Sequence, residues 1–281
     1  HVQPARGLIK LDAMENPYTW PSELREPWVE LLRTIDVNRY PDPAATALTH
    51  RLREAMGVPE GMRVILGNGS DELIQMIAMS LSGPSRAVLS VDPGFVMFRL
   101  IATFCGMRYV GVPLAADDFG LDLPAVLQAL DAQQPAVVFL AYPNNPTGAV
   151  ASRETLLKVA EIAKKHNLVS MIDNTFASPV NQNPIDFGID VVLHSATKYM
   201  GGHSDILAGT AIASEAHIDK IFQLAKNFGG SLSDFTVWML ERSLKTMGLR
   251  VKAQNENALE LARFLEKHGD ISRVYYPGLE S

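Results

Sequence analysis

The chain has 281 residues, 47% of them hydrophobic and 20% charged, with a formal net charge of −6. That length can bury a substantial core and suggests two domains, and an acidic balance without a basic block gives no nucleic-acid footprint. A lone cysteine, Cys105, excludes an internal disulfide and fits a reducing cytoplasm, and no apolar run approaches a membrane span.

Residues 1–20 show little periodicity and are predicted to lie as an arm across a surface, in an oligomer that of a partner subunit. From residue 21 to 228 two patterns alternate. Short β-rich apolar runs fall at Val64–Leu66, Ala87–Val91, Val137–Leu140, Leu168–Ile172 and Val191–Leu193. Helical periods lie between them, one through Leu73, Ile77 and Leu81, another through Leu156, Val159 and Ala163. This alternation predicts an α/β fold: a mostly parallel, doubly wound sheet with helices on both faces. Residues 229–281 carry two longer helical periods, Ser231–Thr246 and Val251–His268, and then Val274-Tyr275-Tyr276, which predicts the start of a strand.

Chemistry concentrates near Lys198, within Ser195-Ala196-Thr197-Lys198-Tyr199-Met200-Gly201-Gly202-His203-Ser204. Twenty-five residues upstream, Asp173 closes the apolar run Leu168–Ile172. Most lysines at strand ends are simply exposed. A lysine between hydroxyl residues and glycines, paired with a strand-end aspartate, suits pyridoxal 5'-phosphate instead. The amine would condense with the aldehyde, and Asp173 would keep the pyridinium nitrogen protonated. Ser195 and Thr197 would donate to the phosphate. Gly67-Asn68-Gly69-Ser70-Asp71 joins a predicted strand to a helix, so the amides of Ser70 and Asp71 are candidates for a phosphate cradle. Taken alone, that pattern fits an ordinary Ser or Asp helix cap equally well. His194 and His203 flank the lysine without metal-ligand spacing, so no metal is expected.

These residues resemble known families. Asp190–Ser204, Asp173–Pro179, Ala225–Leu232, Glu241–Thr246, Gln254–Ala258 and Val274–Leu279 resemble the cystathionine γ-synthase and γ-lyase family, densely from about Thr155 onward. Glu15–Tyr18, Asn38–Pro43, Gly67–Glu72, Pro93–Met97 and Tyr142–Gly148 resemble histidinol-phosphate aminotransferases, over roughly Leu8 to Ala149. Both families share the fold-type-I architecture of pyridoxal phosphate enzymes, so the chain looks like equivalent parts of two relatives joined between residues 149 and 155.

The resemblance implies further roles. Phe95 takes the ring-stacking position over the cofactor, where transsulfuration enzymes usually carry a tyrosine. Asn145 holds the cofactor's phenolic oxygen, Tyr40 reaches a neighbouring subunit's phosphate, and Tyr18 touches a substrate phosphate. The phosphate-binding arginine that aminotransferases carry eight residues after the lysine is Ile206 here. The family's small C-terminal domain, with its carboxylate-gripping arginine, is expected to be truncated. A homodimer with shared active sites and a small amino acid or amino-phosphate substrate are implied. Transamination of the histidinol-phosphate type is the first functional reading and transsulfuration the second. A third is a cofactor-binding chain without useful catalysis.

Overall fold

A computed structural model describes residues 21–34 and 42–279. The expected N-terminal arm, Tyr18 and Tyr40 lie outside the described residues.

Helices α1 (Ser22–Leu32) and α2 (Thr46–Ala55) precede strand β1 (Met62–Gly67). Strands and helices then alternate: α3 (Ser70–Leu81), β2 (Ala87–Asp92), α4 (Val96–Phe104), β3 (Arg108–Pro113), α5 (Leu123–Gln133), β4 (Val137–Ala141), α6 (Arg153–Lys165) and β5 (Val169–Asp173). The short α7 (Ser178–Asn181) leads to β6 (Val191–Ser195), β7 (Gly209–Ser214), α8 (Glu215–Phe228), α9 (Asp234–Leu244) and α10 (Met247–Glu266).

The described strands form one seven-stranded sheet in the order β1-β7-β6-β5-β4-β2-β3. Pairing is parallel from β6 through β5, β4 and β2 to β3, whereas β7 runs antiparallel to both β6 and β1. Strand alternation divides the core in two. Val64, Leu66, Leu89, Val138, Ile172, Val192 and Ile212 face one way and pack with α2, α5, α6 and α9. Ile65, Val88, Val137, Phe139, Met171, Val191 and Ala211 face the other way and pack with α3, α4 and α8. Near-continuous apolar runs are what a sheet covered on both faces requires.

The five strands expected between residues 64 and 193 are present. Two were not legible. β3 lies at an edge and is only partly buried, and β7 reads Gly-Thr-Ala-Ile-Ala-Ser, too small in side chain to give a β-rich run. The strand expected from Val274 does not form: residues 272–276 carry no ladder. Instead the Arg273 guanidinium donates to the Asp117 carbonyl at 2.7 Å, and Tyr275 meets the Phe119 ring edge at 5.3 Å. β-propensity alone makes no strand without a neighbour to pair with.

The two C-terminal helical periods appear as α9 and α10. Ser233 caps α9 by accepting from the Thr236 amide. Met239 and Leu240 of α9, and Met247 and Val251 of α10, belong to the same cluster as one face of the sheet. Trp28 of α1 packs on Phe235 of α9 with ring centroids 5.3 Å apart.

Candidate active site

The carboxyl ends of parallel strands open onto a crevice where ligands bind in such sheets. Here the ends of β4, β5 and β6, with the β1–α3 and β2–α4 connections, enclose a cavity of about 330 Å³. Its walls include Ser70, Asp71, Phe95, Asn145, Asp173, Ser195, Thr197 and Lys198. Every site residue expected from sequence that lies among the described residues meets here.

The β1–α3 connection is built for close approach. Gly69 precedes α3 with φ of 93°, and no side chain caps the helix there. The Glu72 carboxylate reaches back to the Asn68 amide at 2.7 Å, leaving the cap position itself bare. That argues against an ordinary Ser or Asp cap and leaves the first-turn amides of α3 available to an anion. Gly209 of β7 backs the loop: a Cβ on it would stand 2.3 Å from the Gly69 carbonyl and 2.7 Å from the Ser70 nitrogen.

Lys198 sits in a turn fixed from two sides. The Lys198 amide donates to the Ser195 carbonyl at 3.0 Å, and the Gly201 amide to the Ala196 carbonyl at 2.8 Å. From α10, Arg250 donates to the carbonyls of Tyr199 at 2.8 Å, Met200 at 3.2 Å and Ser243 at 2.9 Å. Gly202 lies against that guanidinium with φ of 74°, and a Cβ there would collide with it. The Thr197 hydroxyl donates to the Ala208 carbonyl at 3.1 Å and accepts from the Ala208 amide at 3.0 Å. Its one proton is therefore committed to the β7 side. The Ser195 hydroxyl makes no hydrogen bond to a described residue.

Asp173 is buried at the end of β5. Burial pushes its carboxyl up to about 6, against two hydrogen bonds from Thr175 that lower it, and nearby Asp71 raises it further. The Asp71 carboxyl is itself raised by desolvation, with Lys198 opposing.

Two adjacent asparagines divide their work. Asn144 is buried and donates to the Pro93 carbonyl at 3.0 Å and the Thr147 hydroxyl at 2.9 Å, which ties the turn before Phe95 to the loop after β4. Asn145 lines the cavity. Phe95 is held edge-on by Phe98 at 5.4 Å. Ile206, at the position expected for an arginine, is buried in the core, and its neighbour Leu207 lines the cavity. Sequence reasoning missed Asn144, Thr175, Leu207 and Arg250. The hydroxyl of Thr175 beside Asp173 was the one local signal available.

A larger hollow of about 460 Å³ lies along the β1 edge, lined by residues including His50, Arg53 and Arg63. Its arginines are engaged: Arg53 with the Met62 and Pro59 carbonyls, Arg63 with Asp219 and Glu215. It holds no lysine beside a buried carboxylate, so the chemistry belongs to the smaller cavity.

A parallel α/β sheet with a lysine and a buried aspartate at its strand ends defines the class of fold-type-I pyridoxal phosphate enzymes. Within that class, the chain belongs to the Cys/Met metabolism PLP-dependent enzyme family, whose model matches residues 33–281. It is 56% identical to a histidinol-phosphate aminotransferase of Thiocapsa roseopersicina over 163 residues, which cover 58% of this chain and 86% of that protein. Histidinol-phosphate aminotransferase 2 of Nitrosococcus oceani is 53% identical, over 63% of this chain and 49% of its own length. A cystathionine gamma synthase of Xanthomonas oryzae pv. oryzae, crystallised with aminoacrylate and cysteine, superposes with a TM-score of 0.75 at 28% identity, over 86% of this chain and 60% of that one. A cystathionine gamma-lyase of Lactobacillus plantarum, complexed with L-serine, gives 0.75 at 29% identity, over 88% of this chain and 64% of that one. The chain thus spans between about half and two thirds of most of these relatives. Both resemblances cross residues 149–155: the family match begins at residue 33, and an aminotransferase of Chromobacterium violaceum aligns over 223 residues, more than fits on either side.

Proposed function

We propose that this cavity holds pyridoxal 5'-phosphate at Lys198 and that the chain serves transamination of the histidinol-phosphate type. The observation that carries the reading is one cavity lined by Lys198, Asp173, Phe95 and Asn145, with uncapped helix amides at its edge. An amine, a buried carboxylate, an aromatic face, an amide and an anion-binding helix end are the donor set this cofactor requires, so the residues fit it. When bound, the cofactor supplies an electron sink for charge developing at a substrate α-carbon. Lys198 Nζ would hold the cofactor covalently and, once displaced from it by the incoming substrate amine, would be free to move the proton to and from that carbon. Asp173 holds a positive charge on the ring nitrogen. Phe95 stacks on the ring face, and Asn145 donates to the phenolic oxygen. The first-turn amides of α3, at Ser70 and Asp71, and the Ser195 hydroxyl hold the phosphate. Thr197 joins them only by turning its proton from the Ala208 carbonyl. Tyr40 and Tyr18 are proposed as a neighbour's phosphate contact and a substrate contact.

Phe95 favours transamination over γ-elimination, because a phenyl ring cannot supply the proton that a tyrosine hydroxyl could. The likeness of fold to cystathionine enzymes supports the second reading, transsulfuration. Borohydride reduction of the loaded protein should fix the cofactor on the peptide containing Lys198, and Lys198→Ala should lose both that label and the visible absorbance. Labelling at another lysine would overturn the assignment. With histidinol phosphate and a keto acid, consumption of the keto acid marks transamination. Release of ammonia from a sulfur amino acid marks elimination.

A further inference from the structure

Thr175 makes three hydrogen bonds that together leave no freedom in where its hydroxyl proton points. Its amide donates to Asp173 Oδ1 at 3.0 Å, and its hydroxyl oxygen lies 2.5 Å from the same Oδ1. The Ser195 amide donates to that hydroxyl oxygen at 2.7 Å. A backbone amide can only donate, so Thr175 Oγ1 is an acceptor toward Ser195. A hydroxyl has one proton, and the remaining partner is Oδ1. Two donors therefore converge on Oδ1, which excludes a proton from that oxygen. Oδ2 makes no hydrogen bond to a described residue, and Asp173 lines the cavity. Register explains why the three groups meet. Asp173 pairs with Leu193 across β5 and β6, and the Asn174 amide continues the ladder to the Leu193 carbonyl at 2.8 Å. Two residues beyond Leu193 comes Ser195, which brings its amide against Thr175.

We propose that Thr175 is the positioning residue of this site: its hydroxyl, aimed by the Ser195 amide, holds Asp173 Oδ1 free of a proton, favours the ionised carboxylate against burial, and orients Oδ2 toward a ligand nitrogen. The inference rests on the proposed pairing of Asp173 with the cofactor ring for its functional meaning, but the hold of Thr175 on Oδ1 is a property of the chain by itself. Among the described residues, the other titratable groups lining the cavity are Asp71 and Lys198. Asp71 opposes ionisation of Asp173, so the Thr175 hydrogen bonds are what favour the charged form against burial and a like charge. The same hydroxyl joins the ring end of the site to the strand that carries Ser195 at the phosphate end.

The test uses cofactor-free protein with carboxyl-labelled aspartate, followed by carbon NMR across pH, with the Asp173 signal assigned by its loss in Asp173→Asn. Thr175→Val and Thr175→Ala remove the hydroxyl, and Thr175→Ser restores it. The expected result is an Asp173 midpoint raised by about one to two pH units in both hydroxyl-free variants, with Thr175→Ser within about half a unit of the parent. Two hydroxyl-free variants guard against one failing to fold. Midpoints unchanged in Val and Ala, or a Ser variant shifted as far as Val, would overturn the proposal. Borohydride labelling on the same proteins separates the two claims. Cofactor fixed at Lys198 with an unmoved Asp173 midpoint sinks the role of Thr175 alone. A shifted midpoint with no cofactor on Lys198 sinks the functional reading and leaves Thr175 standing.

Discussion

Burial holds the Asp173 carboxyl at about 6, above its ordinary 3.8. Between those values the folded chain keeps a proton that the unfolded chain releases, so the contribution of Asp173 to stability falls as pH rises from about 4 to 6 and is level beyond. At neutral pH the ionised, buried group costs on the order of 2–3 kcal/mol. Asp173→Asn removes that charge while its Oδ1 still accepts both Thr175 donors. The cofactor-free variant should therefore resist urea better than the parent at pH 7–8, and the difference should vanish near pH 4. His194, buried and held neutral with its pKa pushed down to about 3, gives the opposite slope, but it is common to both proteins and cancels in the comparison. In the loaded protein the same change should abolish most α-proton exchange, because a neutral amide cannot hold a pyridinium charge. Exchange measured with a deuterated solvent reads this directly, and undiminished exchange would remove Asp173 from the mechanism.

The Lys198 turn depends on α10 more than on its own glycines. Arg250 bonds Tyr199, Met200 and Ser243 carbonyls, and a lysine cannot reproduce that planar fork. Arg250→Ala should destabilise the chain by about 2–4 kcal/mol in urea unfolding, and amide exchange should rise first at residues 199–202. Gly202→Ala should act similarly, since it adds left-handed backbone strain and displaces the guanidinium. The phosphate end depends on Gly209 in the same way. Gly209→Ala would drive a methyl into the Gly69 carbonyl, so cofactor affinity should fall at least about tenfold, about 1.4 kcal/mol, in an absorbance titration. Retained affinity would show that the β1–α3 loop can move aside. Neither glycine role was readable from sequence, because each depends on an element far along the chain: α10 for Gly202, the β1–α3 loop for Gly209.

At the scale of the whole molecule, we propose a homodimer with shared sites. Its motivation is the resemblance of residues 38–43 to a segment that reaches a neighbour's phosphate, together with the scarcity of cations in the described cavity. Ile206 stands where an arginine was expected, and Lys198 is the one cation among the described cavity residues. Cofactor occupancy should therefore rise with protein concentration in parallel with dimer mass by sedimentation. A fully loaded monomer at low concentration would contradict sharing. The described residues contain no helix long and apolar enough to cross a membrane. Exposed apolar residues include Val96, Leu100 and Phe104 on α4 and Leu261 and Phe264 on α10.

Sequence by itself determined the local and the periodic. Apolar runs separated by helical periods specify a covered parallel sheet, because burial on both faces demands that pattern. The Lys198 and Asp173 segments are continuous strings whose residue types already carry the chemistry. Tertiary structure decided what depends on register and direction. It alone sets β7 antiparallel, leaves Val274–Tyr276 without a ladder, buries Asn144 while turning Asn145 to the cavity, and commits Thr197 to Ala208. It alone brings the Ser195 amide onto Thr175. A hydrogen bond requires two groups within about 3 Å, and strands distant in sequence reach that separation only through pairing that no local string encodes.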